Sequence, residues 1–173
     1  MRTAQLRQPM QNAVDPPGDP GVPGAILVVC VGNVCRSPMA ECLLRDRIGK
    51  PDCVVASAGL AALAGQPVDP RAASVLEAHG LDATSHAARQ IDATMIDGAD
   101  TVLVMEKAQI LAVHALAPSA AGKTFLLGKW LGAVDIPDPF RRGQEQFDHV
   151  YRMIELAVES WCQRLPLDPD RPT

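Results

Sequence analysis

The chain has 173 residues, 47% of them hydrophobic and 21% charged, with 16 basic against 20 acidic side chains and a net charge of -4. That is the length of one domain with a core of its own, and its acidic balance argues against a nucleic-acid binder, which carries a basic face. No apolar run reaches the about 18 residues that span a bilayer, and five cysteines at 30, 35, 42, 53 and 162 form neither an even disulfide framework nor a zinc-ligand spacing. The expectation is a monomer in a reducing cytoplasm, with no metal, no cofactor, no nucleic acid and no direct membrane insertion.

Residues 1–24 are rich in Pro, Gly, Gln and Asp and have no apolar segment of the secretory kind, so they read as a disordered tail. The folded domain is expected over 25–165, with a C-terminal tail at 166–173. Ala25-Ile26-Leu27-Val28-Val29-Cys30-Val31 is a continuous apolar run, the pattern of a strand buried on both faces of a parallel sheet. Gly32 and Asn33 break it. Ser37-Pro38 reads as a helix start, with Ser as cap and Pro at the first helical position; Gly49 ends that helix. Cys53–Ser57 reads as a second strand, and Asp69-Pro70 opens a second helix that runs through Gly80. Thr101–Met105 is a third strand, a helix follows over roughly 107–116, and Lys123–Leu127 is a fourth strand. After a loop at Asp135–Pro139, the last helix runs from about Gln144 to Leu165, with Phe147, Val150, Ile154, Ala157, Val158, Trp161 and Leu165 on one apolar face. Strands alternating with helices predict an α/β fold: a four-stranded parallel sheet with helices on both faces and a phosphate-binding loop after the first strand.

Open parallel sheets bind ligands at the carboxyl ends of their strands. The first such end reads Cys30-Val31-Gly32-Asn33-Val34-Cys35-Arg36-Ser37-Pro38. It lacks the Gly-Lys pair of nucleotide-binding loops. Backbone N–H groups from Val31 to Ser37 can converge on one spot, and the helix behind adds free N–H groups and the positive end of its dipole. That makes a cradle for a tetrahedral phosphate, with the planar fork of Arg36 to hold two of its oxygens. Cys30 opens the loop. A free thiol ionises near about pH 8.5, and a helix N-terminus or a nearby cation favours its thiolate. A thiolate aimed at phosphorus displaces a leaving group in line and forms a phosphocysteine, while Arg36 and the amides neutralise the equatorial oxygens. Cys30 alone also fits a small hydrophobe at a strand end. The Cys-x5-Arg spacing followed by Ser-Pro favours the chemical reading.

The stretch from Val29 to Glu41 resembles the active-site signature of the low-molecular-weight protein tyrosine phosphatases. The likeness continues through Ser57-Ala58-Gly59, Asp69-Pro70-Arg71-Ala72, His79-Gly80, Ala88-Arg89-Gln90, Met105-Glu106 and Ile136-Pro137-Asp138-Pro139-Phe140. In flavour it is similar to the bacterial branch associated with capsule and exopolysaccharide export. The resemblance implies Cys30 as nucleophile, Arg36 as phosphate clamp and Asp138 as general acid, then base. It implies that Asn33, Ser37, Ser57 and His86 hold the loop open. Glu106 matches a carboxylate beside the general acid, where a like charge favours the protonated acid. Cys35 matches a second thiol that forms a disulfide with the nucleophile and shields it from over-oxidation; packing is an equal reading of it. Leu60, Leu63 and Phe140 match the walls of a slot for a phenyl ring. A membrane tyrosine autokinase is the implied phosphotyrosine-protein partner.

Two alternatives remain at this stage. A protein-arginine phosphatase of the same fold carries Thr at the position of Val34, so the apolar Val34 favours the tyrosine enzymes. A non-catalytic phosphotyrosine-binding module would have lost Cys30 or Asp138, and both are present. An arsenate reductase would need relay cysteines in a flexible segment, whereas Cys42, Cys53 and Cys162 fall in regular elements and read as packing residues.

Overall fold

The computed structural model describes residues 24–165. The tail readings for 1–24 and 166–173 therefore fall, Gly24 apart, outside the described residues. Four strands form one all-parallel sheet in the order β2-β1-β3-β4: β1 (Ala25–Cys30), β2 (Val54–Gly59), β3 (Thr101–Val104) and β4 (Thr124–Leu126). β1 is central and pairs with both neighbours, Val28 opposite Ser57 on one side and Leu103 on the other. Every residue of β1 after Ala25 is buried, as its unbroken apolar run requires of a strand covered on two faces.

Alternation along β1 divides the core. Ile26, Val28 and Cys30 face a layer built by α1 (Arg36–Ile48), α2 (Pro70–Ala78) and α5 (Gln144–Cys162). Leu27 and Val29 face the opposite layer, with Ile96, Val113 and Ala120 from α3 (Ala93–Asp97), α4 (Lys107–Leu116) and the short 3-10 turn Pro118–Ala120. Helices thus cover both faces, as the sequence pattern predicts. The α5 stripe of Phe147, Val150, Ile154, Ala157, Val158 and Trp161 is buried as expected, and Tyr151 joins it. No described helix is long and apolar enough to cross a membrane.

Three local readings change. The sequence pattern offers no apolar period for α3, whose five residues are held by Asp92, which accepts from Met95 N–H at 2.8 Å. β1 stops at Cys30, so Val31 already belongs to the loop. Ser37 is not the cap of α1: Cys35 occupies that position with no side-chain cap bond, and Ser37 lies inside the first turn with its hydroxyl turned to the loop. By contrast Asp69 caps α2 as expected, accepting from Arg71 N–H at 2.9 Å with Pro70 at the first helical position. Residues 60–63 run beside the loop after β1, and the N–H groups of Leu60, Ala61 and Leu63 donate to the carbonyls of Cys30, Val31 and Gly32 at 2.9–3.0 Å.

Candidate active site

The loop from Cys30 to Arg36 joins the carboxyl end of the central strand to the N-terminus of α1. Cys30 Sγ receives the Asn33 backbone N–H at 3.2 Å and lies 2.9 Å from Ser37 Oγ. Those two groups meet a negative charge on sulfur from opposite ends of the loop. Among the described residues, the backbone N–H groups of Gly32, Val34 and Cys35 have no hydrogen-bond partner within the chain. Unpaired donors at a helix N-terminus are where an anion binds.

Asn33 holds this shape from inside. It is fully buried and adopts a left-handed backbone, φ 56°, which Asn tolerates better than most residues. Its Nδ2 donates to Ser37 Oγ and to Ser57 Oγ, both at 2.9 Å, and its Oδ1 accepts from Arg89 N–H at 2.9 Å. Its carbonyl lies 2.8 Å from His86 Nε2, and since a carbonyl can only accept, that nitrogen carries the proton. Ser57 in turn donates to Glu41, a buried carboxylate that also pairs with Arg45. Sequence reading places Asn33, Ser37, Ser57 and His86 here but assigns no part to Glu41 or Arg89. The available signal was the spacing: Glu41 lies four residues after Ser37, on the same side of α1.

Arg36 is 1% exposed, and its donors are unequally used. Nη1 bonds Glu106 and the Ile136 carbonyl, the latter at 2.9 Å, and Nη2 bonds Asp138 Oδ2 at 2.8 Å. Nε is buried without a partner. Glu106 was expected beside Asp138 as a like charge. Instead both carboxylates meet on one guanidinium, and the cation between them offsets their repulsion. Asp138 Oδ1 also accepts the Phe140 N–H at 3.1 Å, which fixes the turn that carries it.

The sequence model of the low molecular weight phosphotyrosine protein phosphatases matches residues 25–170. The chain belongs to this family. It is 47% identical over 141 residues to the low molecular weight protein-tyrosine-phosphatase Etp of Escherichia coli, covering 82% of this chain and 94% of that one. The crystal structure of the tyrosine phosphatase AmsI of Erwinia amylovora superposes with a TM-score of 0.80 at 40% identity, over 84% of this chain and 95% of that one. The YwlE arginine phosphatase of Geobacillus stearothermophilus superposes at 0.75 with 33% identity, over 80% and 90%. The chain is a protein-tyrosine-phosphatase by family, and its sheet is that of the family.

Above the loop of this phosphatase lies a cleft of about 140 Å³ lined by the polar groups of Cys30, Cys35, Arg36 and Asp138 and by the apolar side chains of Val31, Val34, Ala61, Leu63 and Phe140. Leu63 and Phe140 stand where expected. Leu60 does not line the cleft; it packs against the core on the α3–α4 side, and Ala61 takes the wall position. The chain turns after Gly59, and that turn carries Leu60 against the core and Ala61 to the cleft. Cys35 is buried beside Cys30, and burial, with Asp69 and Asp138 nearby, pushes its thiol well above the ordinary range. Burial likewise pushes Cys42 up to about 11 and raises Cys53. At neutral pH these three are thiols, not competing thiolates.

Proposed function

We propose that the phosphatase hydrolyses phosphotyrosine through a phosphocysteine on Cys30, in a mechanism carried by Cys30, Arg36 and Asp138. The single observation behind this reading is the arrangement around Arg36. A buried clamp in the same cleft as the Cys30 thiol keeps an unpartnered Nε beside an Nη2 that bonds Asp138, and that carboxylate is proposed to be the one a phosphate displaces. A phosphate dianion takes Nε and Nη2 as a bidentate pair and fills the unpaired loop amides. Asp138 is thereby released from Arg36, takes up a proton from solvent and turns toward the leaving oxygen. The Cys30 thiolate attacks phosphorus, the bond from phosphorus to the phenolic oxygen breaks, and Asp138 donates its proton to that oxygen. Asp138 then takes a proton from water, whose oxygen attacks the phosphocysteine and returns the thiolate and inorganic phosphate. Glu106 and the Ile136 carbonyl keep Nη1 occupied, so the guanidinium presents the same edge throughout.

The cleft walls favour a flat aromatic ring. Val31, Val34, Ala61, Leu63 and Phe140 offer no polar partner at the walls, whereas the guanidino N–H groups of phosphoarginine would be left unpaired against them. Cys35 is proposed as the thiol that traps an oxidised Cys30 as a disulfide. The physiological substrate is proposed, on the resemblance to the exopolysaccharide-associated branch, to be the phosphorylated tyrosine segment of a membrane autokinase, with the enzyme acting as a cytoplasmic monomer. Replacement of Asp138 tests the mechanism. Asp138→Ala lowers kcat on phenyl phosphate by about 10²–10⁴-fold with a much smaller change in KM; an unchanged kcat removes Asp138 from the mechanism.

A further inference from the structure

The segment that follows the Phe140 wall carries arginines that the chemistry above does not use. Arg141 follows Phe140, and its guanidinium carbon lies 5.3 Å from the Phe140 ring centroid, so a positive charge sits one ring away from the substrate slot. Arg142 closes the same turn, its N–H donating to the Pro139 carbonyl at 2.9 Å. Arg71 belongs to the same side of the molecule. Its carbonyl accepts from Gln144 Nε2 at 3.4 Å, which ties the first turn of α2 to the first turn of α5 just beyond Arg142. All three are exposed.

These charges have little internal compensation. Among the described residues no acid pairs with Arg141 or Arg142, and Arg71 has only Asp69 at 4.0 Å. Asp138 is bonded to Arg36, and Glu145, three residues after Arg142, pairs with neither arginine. In a chain of net charge -4, two consecutive exposed arginines directly after a cleft-wall residue run against the average. Arg141 also has a left-handed backbone, φ 62°, a conformation that glycine adopts at no steric cost. A bulky cation held there is an outlier of the kind that clusters at ligand sites.

Building on the phosphatase reading, we propose that Arg141 and Arg142, supported by Arg71, form an anion subsite that reads an acidic side chain next to the phosphotyrosine. A substrate ring against Phe140 brings its peptide backbone out toward this segment. An extended peptide advances about 3.3 Å per residue, so a side chain one or two residues along meets the Arg141–Arg142 turn. The guanidinium of Arg141 lies beside the Phe140 ring and has no other partner, so its N–H edge is available to pair with two oxygens of a phosphate or a carboxylate.

Three peptides that differ in the residue beside phosphotyrosine test this: glutamine, glutamate and phosphoserine. The wild-type enzyme is expected to prefer the phosphoserine peptide by about tenfold and the glutamate peptide by about threefold in kcat/KM over the glutamine peptide. Equal gains from the two would mark a carboxylate as sufficient, and a gain from phosphoserine alone would mark the subsite as a phosphate reader. The preference should fall toward one in the double variant Arg141→Gln/Arg142→Gln, return in part with lysine at both positions, and shrink in the wild type at about 0.5 M salt. No preference in the wild type, or one that survives both salt and the double variant, overturns the subsite. Cys30-dependent turnover of the glutamine peptide keeps the phosphatase reading intact in that case, and absence of turnover on all three peptides overturns both.

Discussion

Arg36 and Cys35 show how single side chains divide the work of the loop. Arg36 is a buried cation, a placement that costs several kcal/mol unless its donors are answered, and three of its five N–H donors are engaged. Cys35 lies in the same loop as a thiol held in its neutral form by burial. In the proposed redox role, peroxide oxidises the Cys30 thiolate to a sulfenic acid and hydroxide, and the Cys35 thiol would then condense with it, forming the disulfide and releasing water. The expected outcome is that dithiothreitol restores most activity to peroxide-treated wild type and little to Cys35→Ser; equal recovery in both would leave Cys35 a packing residue. Cys30 and Arg36 stand out in the sequence because their spacing carries chemistry, and Asp138 stands out only through the family resemblance. Arg89 and the Ile136 carbonyl do not stand out: they reach the site from positions that become neighbours only once the sheet has formed.

Among the elements, β2 does more for the site than its exposed start suggests. Its last residue, Gly59, pairs with Cys30, and a Cβ there would stand 2.5 Å from the Val31 carbonyl and 3.0 Å from the Asn33 Cβ. That approach leaves no room for a side chain without moving the loop. Gly59→Ala is expected to destabilise the protein by about 1–3 kcal/mol in urea unfolding. It should also lower kcat on phenyl phosphate by a larger factor than the Ala mutant of a surface glycine such as Gly143, whose added Cβ meets nothing. A silent Gly59→Ala would mean the loop tolerates displacement. Strands and long helices follow from periodicity because their apolar faces meet the core. The start of α1 does not, because Ser37 is drawn away from its capping role by Cys30 and Asn33. Local preference for a Ser cap loses to a hydrogen bond that the site requires. The short α3 escapes notice for a different reason: five residues cannot display a helical period.

For the whole molecule, the raised thiols couple stability to pH. Cys42 and Cys35 keep their protons in the folded protein above the ordinary thiol value of 9.0, Cys42 up to about 11. The unfolded chain loses those protons near its ordinary value, so above it the unfolded state binds fewer protons and stability falls as pH rises. Tyr151, pushed up to about 12 by burial, extends the same trend. Thermal unfolding should show a Tm that holds below about pH 8.5 and drops progressively between about pH 9 and 11, less steeply in Cys42→Ala; a flat profile would show that these thiols titrate alike in both states. The all-parallel sheet, the loop at its central strand and the apolar cleft meet in one claim, that Cys30 attacks the phosphorus of an aryl phosphate. The most direct test is chelator-treated hydrolysis of a phosphotyrosine peptide and a phosphoarginine peptide, side by side, by the wild type and Cys30→Ser. Turnover of phosphotyrosine alone, with loss in Cys30→Ser, is the predicted result. Preference for phosphoarginine, or phosphotyrosine turnover that survives the loss of the Cys30 thiol, would contradict it.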